Sequence, residues 1–359
     1  MDAGLEKVVA AETVLSDVDG ANGRLIIRGH DVGDLAARYT YEQAAALLWS
    51  GFFTPEPDAE TLARDLGAAR AAAFKRLEAH LPDLARLGDV EGVRAALAMS
   101  PDGDDLATAI DLAATTAVAT AAIARLRAGH PAVAPNPALG HAHDLLRMMR
   151  GADPAPAEAA ALDAYMVTTC DHGLNASTFV ARAVASTRAG LGSAVIAALS
   201  ALKGPLHGGA PGPALDMLDA IGSPANAEAW ITAALDRGDR LMGFGHRVYR
   251  IRDPRADVLR RAVSSLPATS GRLALAQSIE TVILARLAAN KPSRKLETNV
   301  EYYTALLLEA LAIPRGSFTC LFACGRVLGW IAHAREQLAT GRLVRPASVY
   351  VGPRPREAA

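Results

Sequence analysis

The sequence predicts an all-α fold. Aromatic residues fill only 5% of its 359 positions while alanine and leucine abound, a balance that favours helix over sheet. Apolar residues recur at helical spacing through most of the chain, without the strand–helix alternation of a doubly wound nucleotide fold. The exception lies in residues 1–30, where DVDGANG followed by RLIIRG reads as a small hairpin. From Asp34 to Gly51, residues such as Leu35, Ala44, Leu47 and Leu48 predict two short helices, broken around Tyr39 and Thr40 and ended by Gly51 and Pro55. Residues 57–98 and 104–128 read as Ala/Leu/Arg-rich helices, with the turn PDG (101–103) between them. Further helices are expected at about 138–150, 156–170, 174–189 and 191–202, others after 211, and a strong one at about 316–340 before an irregular tail.

Composition excludes several classes of partner. Lys and Arg number 37 against 38 Asp and Glu, so no overall field holds the chain on nucleic acid or an anionic membrane. The N-terminus lacks the basic-then-apolar pattern of a signal peptide, and no apolar run reads as long enough to span a bilayer. A cytoplasmic protein is the expectation. Cys170, Cys320 and Cys324 lack zinc-type spacing and read as buried thiols. His141 and His143 in HAH lie two apart, so a helix would not bring them to one face, and no metal site is expected. Neither a phosphate loop nor a GxSxG elbow is present.

Three of the nine histidines sit in settings unusual for packing. His172 lies in DHGLNAST, where capping of a helix by Asp171 or Asn175 with an incidental histidine competes with a ligand role. His207 lies in KGPLHGGAPG, ahead of a helix whose N-terminus would disfavour imidazolium. A neutral, hydrogen-bond-donating imidazole and an ordinary flexible loop both fit that setting. His246 opens a run containing Arg247, Arg250, Arg252, Arg255, Arg260 and Arg261. Such clustering suits carboxylate or phosphate binding, although a solvated basic face is the better reading for Arg260 and Arg261. Asp253 as N-cap and Pro254 as the first helical residue would hold Arg255 at a helix start beside the loop.

Together these segments resemble the citrate synthase family, which includes 2-methylcitrate synthases. The likeness runs in order from GLEKVVAAETVLSDVDGANGRLIIRGHDVGDLA through DHGLNASTFVAR, LKGPLHGGAPG, GFGHRVYRIRDPRA and TNVEYYTALLLEALAIP to the RP of LVRPAS. It implies a helical homodimer with a large domain (1–206 and 309–359) and a small domain (207–308) that closes over the substrates. It also implies condensation of an acyl-coenzyme A thioester, acetyl- or propionyl-, with oxaloacetate, and no separate cofactor. By this likeness His172, His246, Arg255 and Arg326 match oxaloacetate-binding positions, and Arg345 matches an arginine supplied across the dimer interface. His207 and His246 match the two hydrogen-bond donors, and Glu301 the base. Met242, Gly243, Phe244, Gly245, Arg250, Arg294, Lys295 and Asn299 match coenzyme A-contacting positions. The absence of a long N-terminal extension suggests a plain dimer rather than a hexamer.

One departure stands out. Where the family pattern has Pro-Asn-Val-Asp, this chain has Thr298-Asn299-Val300-Glu301. The added methylene would shift the carboxylate by more than an ångström, so a catalytically weak, ligand-binding relative is a rival expectation. The same four residues also spell a capping box, with Thr298 as N-cap and Glu301 reaching back to it.

Overall fold

The computed structural model describes Gly4 and residues 8–208, 211–246, 248–249, 251–266, 270–290 and 296–353. The hairpin forms between β1 (Ser16–Asp19) and β2 (Arg24–Ile27), pairing Ser16 with Ile27 and Asp19 with Arg24. A two-residue strand, β3 (His30–Asp31), completes a small antiparallel sheet, too short for sequence patterning to reveal. Its turn is pressed onto Val248, Ile251 and Arg252: a Cβ on Gly20 would lie 2.3 Å from the Val248 carbonyl oxygen, so only glycine permits this approach.

The two short helices appear as α1 (Val32–Arg38) and α2 (Tyr41–Trp49). Between them Thr40 forms a capping box with Gln43, which explains the break there. Next come α3 (Ala59–Leu77), α4 (Leu81–Leu87), α5 (Asp89–Leu97) and α6 (Leu106–Arg127), the last begun by Asp105 capping the Thr108 N–H. By length and composition α6 is apolar enough to cross a bilayer, which corrects the sequence expectation. Its alanine-rich surface is 78% buried over the apolar window, so it is a core helix around which α3, α4, α5 and three later helices pack.

Then follow α7 (His141–Arg150), α8 (Pro156–Thr169), α9 (Ala176–Ala185) and α10 (Leu191–Leu202). His141 in α7 is fully buried, stacked on Tyr41 and facing Arg70, which is a packing role. The segment after residue 210 contains α11 (Pro211–Ile221), α12 (Pro224–Asp236), α13 (Pro254–Ser264), α14 (Ser270–Asn290) and α15 (Val300–Ala310). These helices pack mainly on one another, and α13 joins them to α1 and α8. Finally α16 (Phe318–Thr340) runs through the centre against α2, α6, α8, α9 and α10. Cys170, Cys320 and Cys324 are free and buried.

Candidate active site

Four chain segments converge where α9 begins, where α13 and α15 begin, and midway along α16. Asn175 caps α9 by accepting from the Thr178 N–H at 3.1 Å. Asp171, which precedes it, is not a cap. Its buried carboxylate accepts from the Ser16 hydroxyl at 2.5 Å and faces His333 Nε2, tying the His172 loop to β1 and α16. His172 is buried with its Nε2 3.2 Å from the Tyr249 hydroxyl, and its ring centroid lies 5.7 Å from that of His246. Burial, then the nearby Arg255 and Arg326, push its pKa well below the usual value, so His172 is neutral.

The other two histidines are locked as opposite tautomers. His246 Nδ1 accepts from the backbone N–H groups of Val248 (3.0 Å) and Tyr249 (3.1 Å), so the ring proton must sit on Nε2. His207 Nε2 accepts from the Ser177 N–H at 3.2 Å and lies 2.8 Å from its hydroxyl, so its proton must sit on Nδ1. Burial first, with Arg255 beside His246 and Arg326 near His207, lowers both pKa values to about 4. Each ring is therefore a neutral donor with one fixed N–H. The start of α9 also meets His207, through the Ser177 N–H donated to Nε2.

Asp253 caps α13, accepting from the Arg255 N–H, as the DPR pattern predicts. Its carboxylate also holds the Arg255 guanidinium in two bonds, 3.0 and 2.8 Å, and accepts from the Val300 N–H that opens α15. One buried carboxylate thus fixes two helix starts and an arginine. Arg326 is buried too, with Nε donating to the Thr169 carbonyl at 2.6 Å and Nη2 without a hydrogen-bond partner among the described residues. Desolvation pulls its pKa down to about 10. A buried guanidinium with a free N–H demands an anion.

The predicted capping box is not formed. Asn299, rather than Thr298, caps α15, accepting from the Glu301 N–H at 3.0 Å. The Thr298 hydroxyl instead donates to Glu280 at 2.5 Å inside the small helical group. Glu301 is the second residue of α15, and among the described residues no hydrogen bond reaches its carboxylate. Burial raises its pKa to about 7, opposed by Arg255 and Arg326 and helped by Asp253.

Met242 to Gly245 form a turn with φ near +87° at Gly243 and +80° at Gly245. A Cβ on Gly243 would meet Tyr302 at 2.9 Å, so glycine is required there. The turn is stitched to residues 297–299: Gly245 N–H to Glu297, Asn299 N–H to Gly243, and the Asn299 amide to the Gly245 carbonyl at 2.8 Å. Phe244 packs on Tyr302. The Asn299 side chain is therefore spent on capping α15 and fastening this turn. Arg250, Arg294 and Lys295, like Arg247, lie outside the described residues. Arg252 is neutralised by Asp257 and Glu280, and Arg260 faces Asp257 at 3.8 Å, so much of the arginine run is locally paired. Arg345 is exposed and stands apart: Val344 beside it donates to Ser186, at the opposite end of α9 from Ser177.

Sequence reasoning passed over Ser177, Tyr249 and Thr169 as site residues. Ser177 was detectable only as the second residue after an Asn cap, whereas the Thr169 carbonyl acts through its backbone and leaves no side-chain signal.

A family profile described as the citrate synthase C-terminal domain matches residues 4–347. The chain belongs to the citrate synthase family. Citrate synthase of Haloferax volcanii is 36% identical to it over 367 residues, spanning 97% of this chain and 95% of its own length. The 2-methylcitrate synthase of Mycobacterium tuberculosis is 37% identical over 360 residues, spanning 97% and 90%. Citrate synthase from Thermotoga maritima has the same fold, with a TM-score of 0.84 at 33% identity over 100% of this chain and 98% of that one. The ternary complex of Thermoplasma acidophilum citrate synthase with carboxymethyl coenzyme A and oxaloacetate gives 0.88 at 29% identity, covering 100% and 98%. The protein is thus a citrate synthase family condensing enzyme, an acyltransferase that converts its acyl group to alkyl on transfer. Its fold is the mostly helical one of that family, with a small N-terminal sheet.

Proposed function

We propose that this enzyme is a citrate synthase, condensing acetyl-coenzyme A with oxaloacetate to citrate and free coenzyme A, as a cytoplasmic homodimer. Two neutral imidazoles with fixed, opposite tautomers, together with a carboxyl with a pKa of about 7 under the influence of Arg255 and Arg326, support this reading. Glu301 takes a proton from the thioester methyl while His207 Nδ1–H donates a hydrogen bond to the thioester oxygen, giving an enolate held by that bond. The enolate carbon attacks the oxaloacetate ketone, whose oxygen is met by His246 Nε2–H. Water then cleaves the citryl thioester. Arg255 and Arg326 take the oxaloacetate carboxylates, with His172 beside them, and the free Nη2 of Arg326 is the natural first contact. The 207–308 segment is the small domain that closes over the pair, and the 242–245 turn with Arg250, Arg294 and Lys295 forms the coenzyme A side. A ligand-binding relative without turnover has no use for a raised carboxyl pKa and two neutral, fixed donors.

Thiol release from acetyl-coenzyme A should depend on oxaloacetate and yield citrate; no release would overturn the reading. The similarity to a 2-methylcitrate synthase supports propionyl-coenzyme A as the second candidate. One methylene is worth ~1–3 kcal/mol in an apolar pocket, so kcat/KM for the preferred thioester should exceed the other by about 10- to 200-fold. A higher value for propionyl-coenzyme A would reassign the substrate.

Arg345 acts in the partner's site. Its neighbour Val344 is tied to Ser186, and α9, about 15 Å long, separates that end from Ser177. An Arg345→Ala chain mixed with a His246→Ala chain should regain activity, because half of the sites in heterodimers are intact. Silence in a mixture shown to contain heterodimer rules out the shared site.

A further inference from the structure

Tyr249 is buried among three of the residues assigned to the dicarboxylate. Its ring centroid lies 4.7 Å from that of His246 and 5.6 Å from that of His172, and the Arg255 guanidinium sits 5.9 Å from it. It also makes a hydrogen bond to each histidine. The backbone N–H donates to His246 Nδ1 at 3.1 Å, and the hydroxyl lies 3.2 Å from His172 Nε2. The first of these bonds has a single possible direction. The second has two, and they leave His172 with opposite tautomers.

The surroundings decide between them. Burial pushes the Tyr249 phenol pKa well above 10, opposed by Arg255, so the oxygen keeps its proton. Among the described residues His172 Nε2 is the one hydrogen-bond partner of that hydroxyl. If Nε2–H donated to the oxygen, a buried phenol proton would be left without an acceptor, which buried polar groups seldom tolerate. The other nitrogen of His172 points to the same answer. Nδ1 makes no hydrogen bond among the described residues and is not one of the buried polar atoms left unpaired, so it opens to solvent. A lone pair there would repel a carboxylate, which can only accept, whereas an N–H there would bind it. Nor does another side chain hold the ring. Arg255 is held in two bonds by Asp253, Asp171 is engaged by Ser16 and His333, and His246 meets His172 edge to face without a hydrogen bond.

We propose that Tyr249 sets the tautomers of two histidines at once: its phenol O–H holds His172 in the Nδ1–H form that donates to an oxaloacetate carboxylate, while its backbone N–H holds His246 in the Nε2–H form. Tyr249 is thus a positioning residue, acting on the substrate through His172. This rests on the reading of the site as the one that takes oxaloacetate.

Tyr249→Phe tests the His172 half, because it removes the phenol oxygen and keeps both the ring and the backbone N–H. In full-length, ligand-free protein carrying isotope-labelled histidine, nitrogen NMR should show His172, assigned by its loss in His172→Ala, with the proton on Nδ1, and His246 with the proton on Nε2. In Tyr249→Phe the His172 proton should move toward Nε2 while His246 stays as it was. The dissociation constant for oxaloacetate, by calorimetry, should rise about threefold to tenfold, the worth of one ordinary hydrogen bond, and kcat at saturation should fall by less. Adding Tyr249→Phe to His172→Ala should cost no further affinity. A His172 proton found on Nε2 in the parent protein overturns the proposal before any variant is made. So does a tautomer that ignores the loss of the phenol. An added affinity loss in the double variant overturns it too, since the phenol would then touch the substrate itself. If the parent protein does not bind oxaloacetate, the reading of the site fails, while the ligand-free spectra still decide whether the phenol sets the tautomer.

Discussion

Glu301→Gln should abolish condensation while leaving oxaloacetate binding intact. The carboxylate has no structural bond to lose, since Asn299 caps the helix and Thr298 is engaged elsewhere, so glutamine fits without disturbing α15. Exchange of the thioester methyl protons with solvent should disappear along with turnover, because both need the same proton acceptor. In the parent enzyme, kcat should rise with pH through about 7 as Glu301 ionises, while His207 and His246, with pKa values near 4, stay neutral throughout. Stability should run the other way. A carboxyl whose folded pKa lies above its unfolded value of about 4.5 binds more protons when folded, so stability is lost as pH rises from about 4.5 to 7. Glu301→Gln escapes that loss, which is about 3 kcal/mol at most. It should therefore melt higher than the parent at pH 8 and alike at pH 4. A variant that retains most of its turnover would show that another group is the base.

The helices and the resemblance were legible because both are written in local pattern. Asp253-Pro254-Arg255 is one example: a cap, a first-turn proline and a buried arginine follow one another in sequence and in space. The Thr298–Glu301 capping box had the right local pattern and still failed. Glu280, eighteen residues earlier, offers the threonine hydroxyl a buried acceptor, and that tertiary bond moves the cap by one residue. The apolar length of α6 was misjudged for a related reason: alanines and threonines dilute each window of sequence, yet α3, α4, α5, α7, α10 and α16 pack around them. His207 shows the same limit. A neutral imidazole was one of two readings its glycine-rich setting allowed, but the burial and Arg326 that lower its pKa, and the Ser177 N–H that fixes its tautomer thirty residues away, leave no local pattern.

His207→Ala should lower kcat by about 10²–10³, the usual loss for one oxyanion-type donor. The ring is held by Ser177 through both the backbone N–H and the hydroxyl, and the hydroxyl also accepts from Trp330 Nε1–H at 3.1 Å. Those contacts spend Nε2 and leave Nδ1–H as the ring's free donor, so removing the ring removes the donor proposed for the thioester oxygen. Oxaloacetate affinity should barely change if, as proposed, Arg255, Arg326, His172 and His246 bind it, since none of them bonds to His207. His207→Asn offers a finer test: its amide N–H can replace the lost donor, so it should recover part of kcat, whereas His207→Gln, with a longer arm, should not. Steady-state kinetics with oxaloacetate binding by calorimetry checks both claims. An equal fall in oxaloacetate affinity would mean that His207 orients the dicarboxylate rather than the thioester.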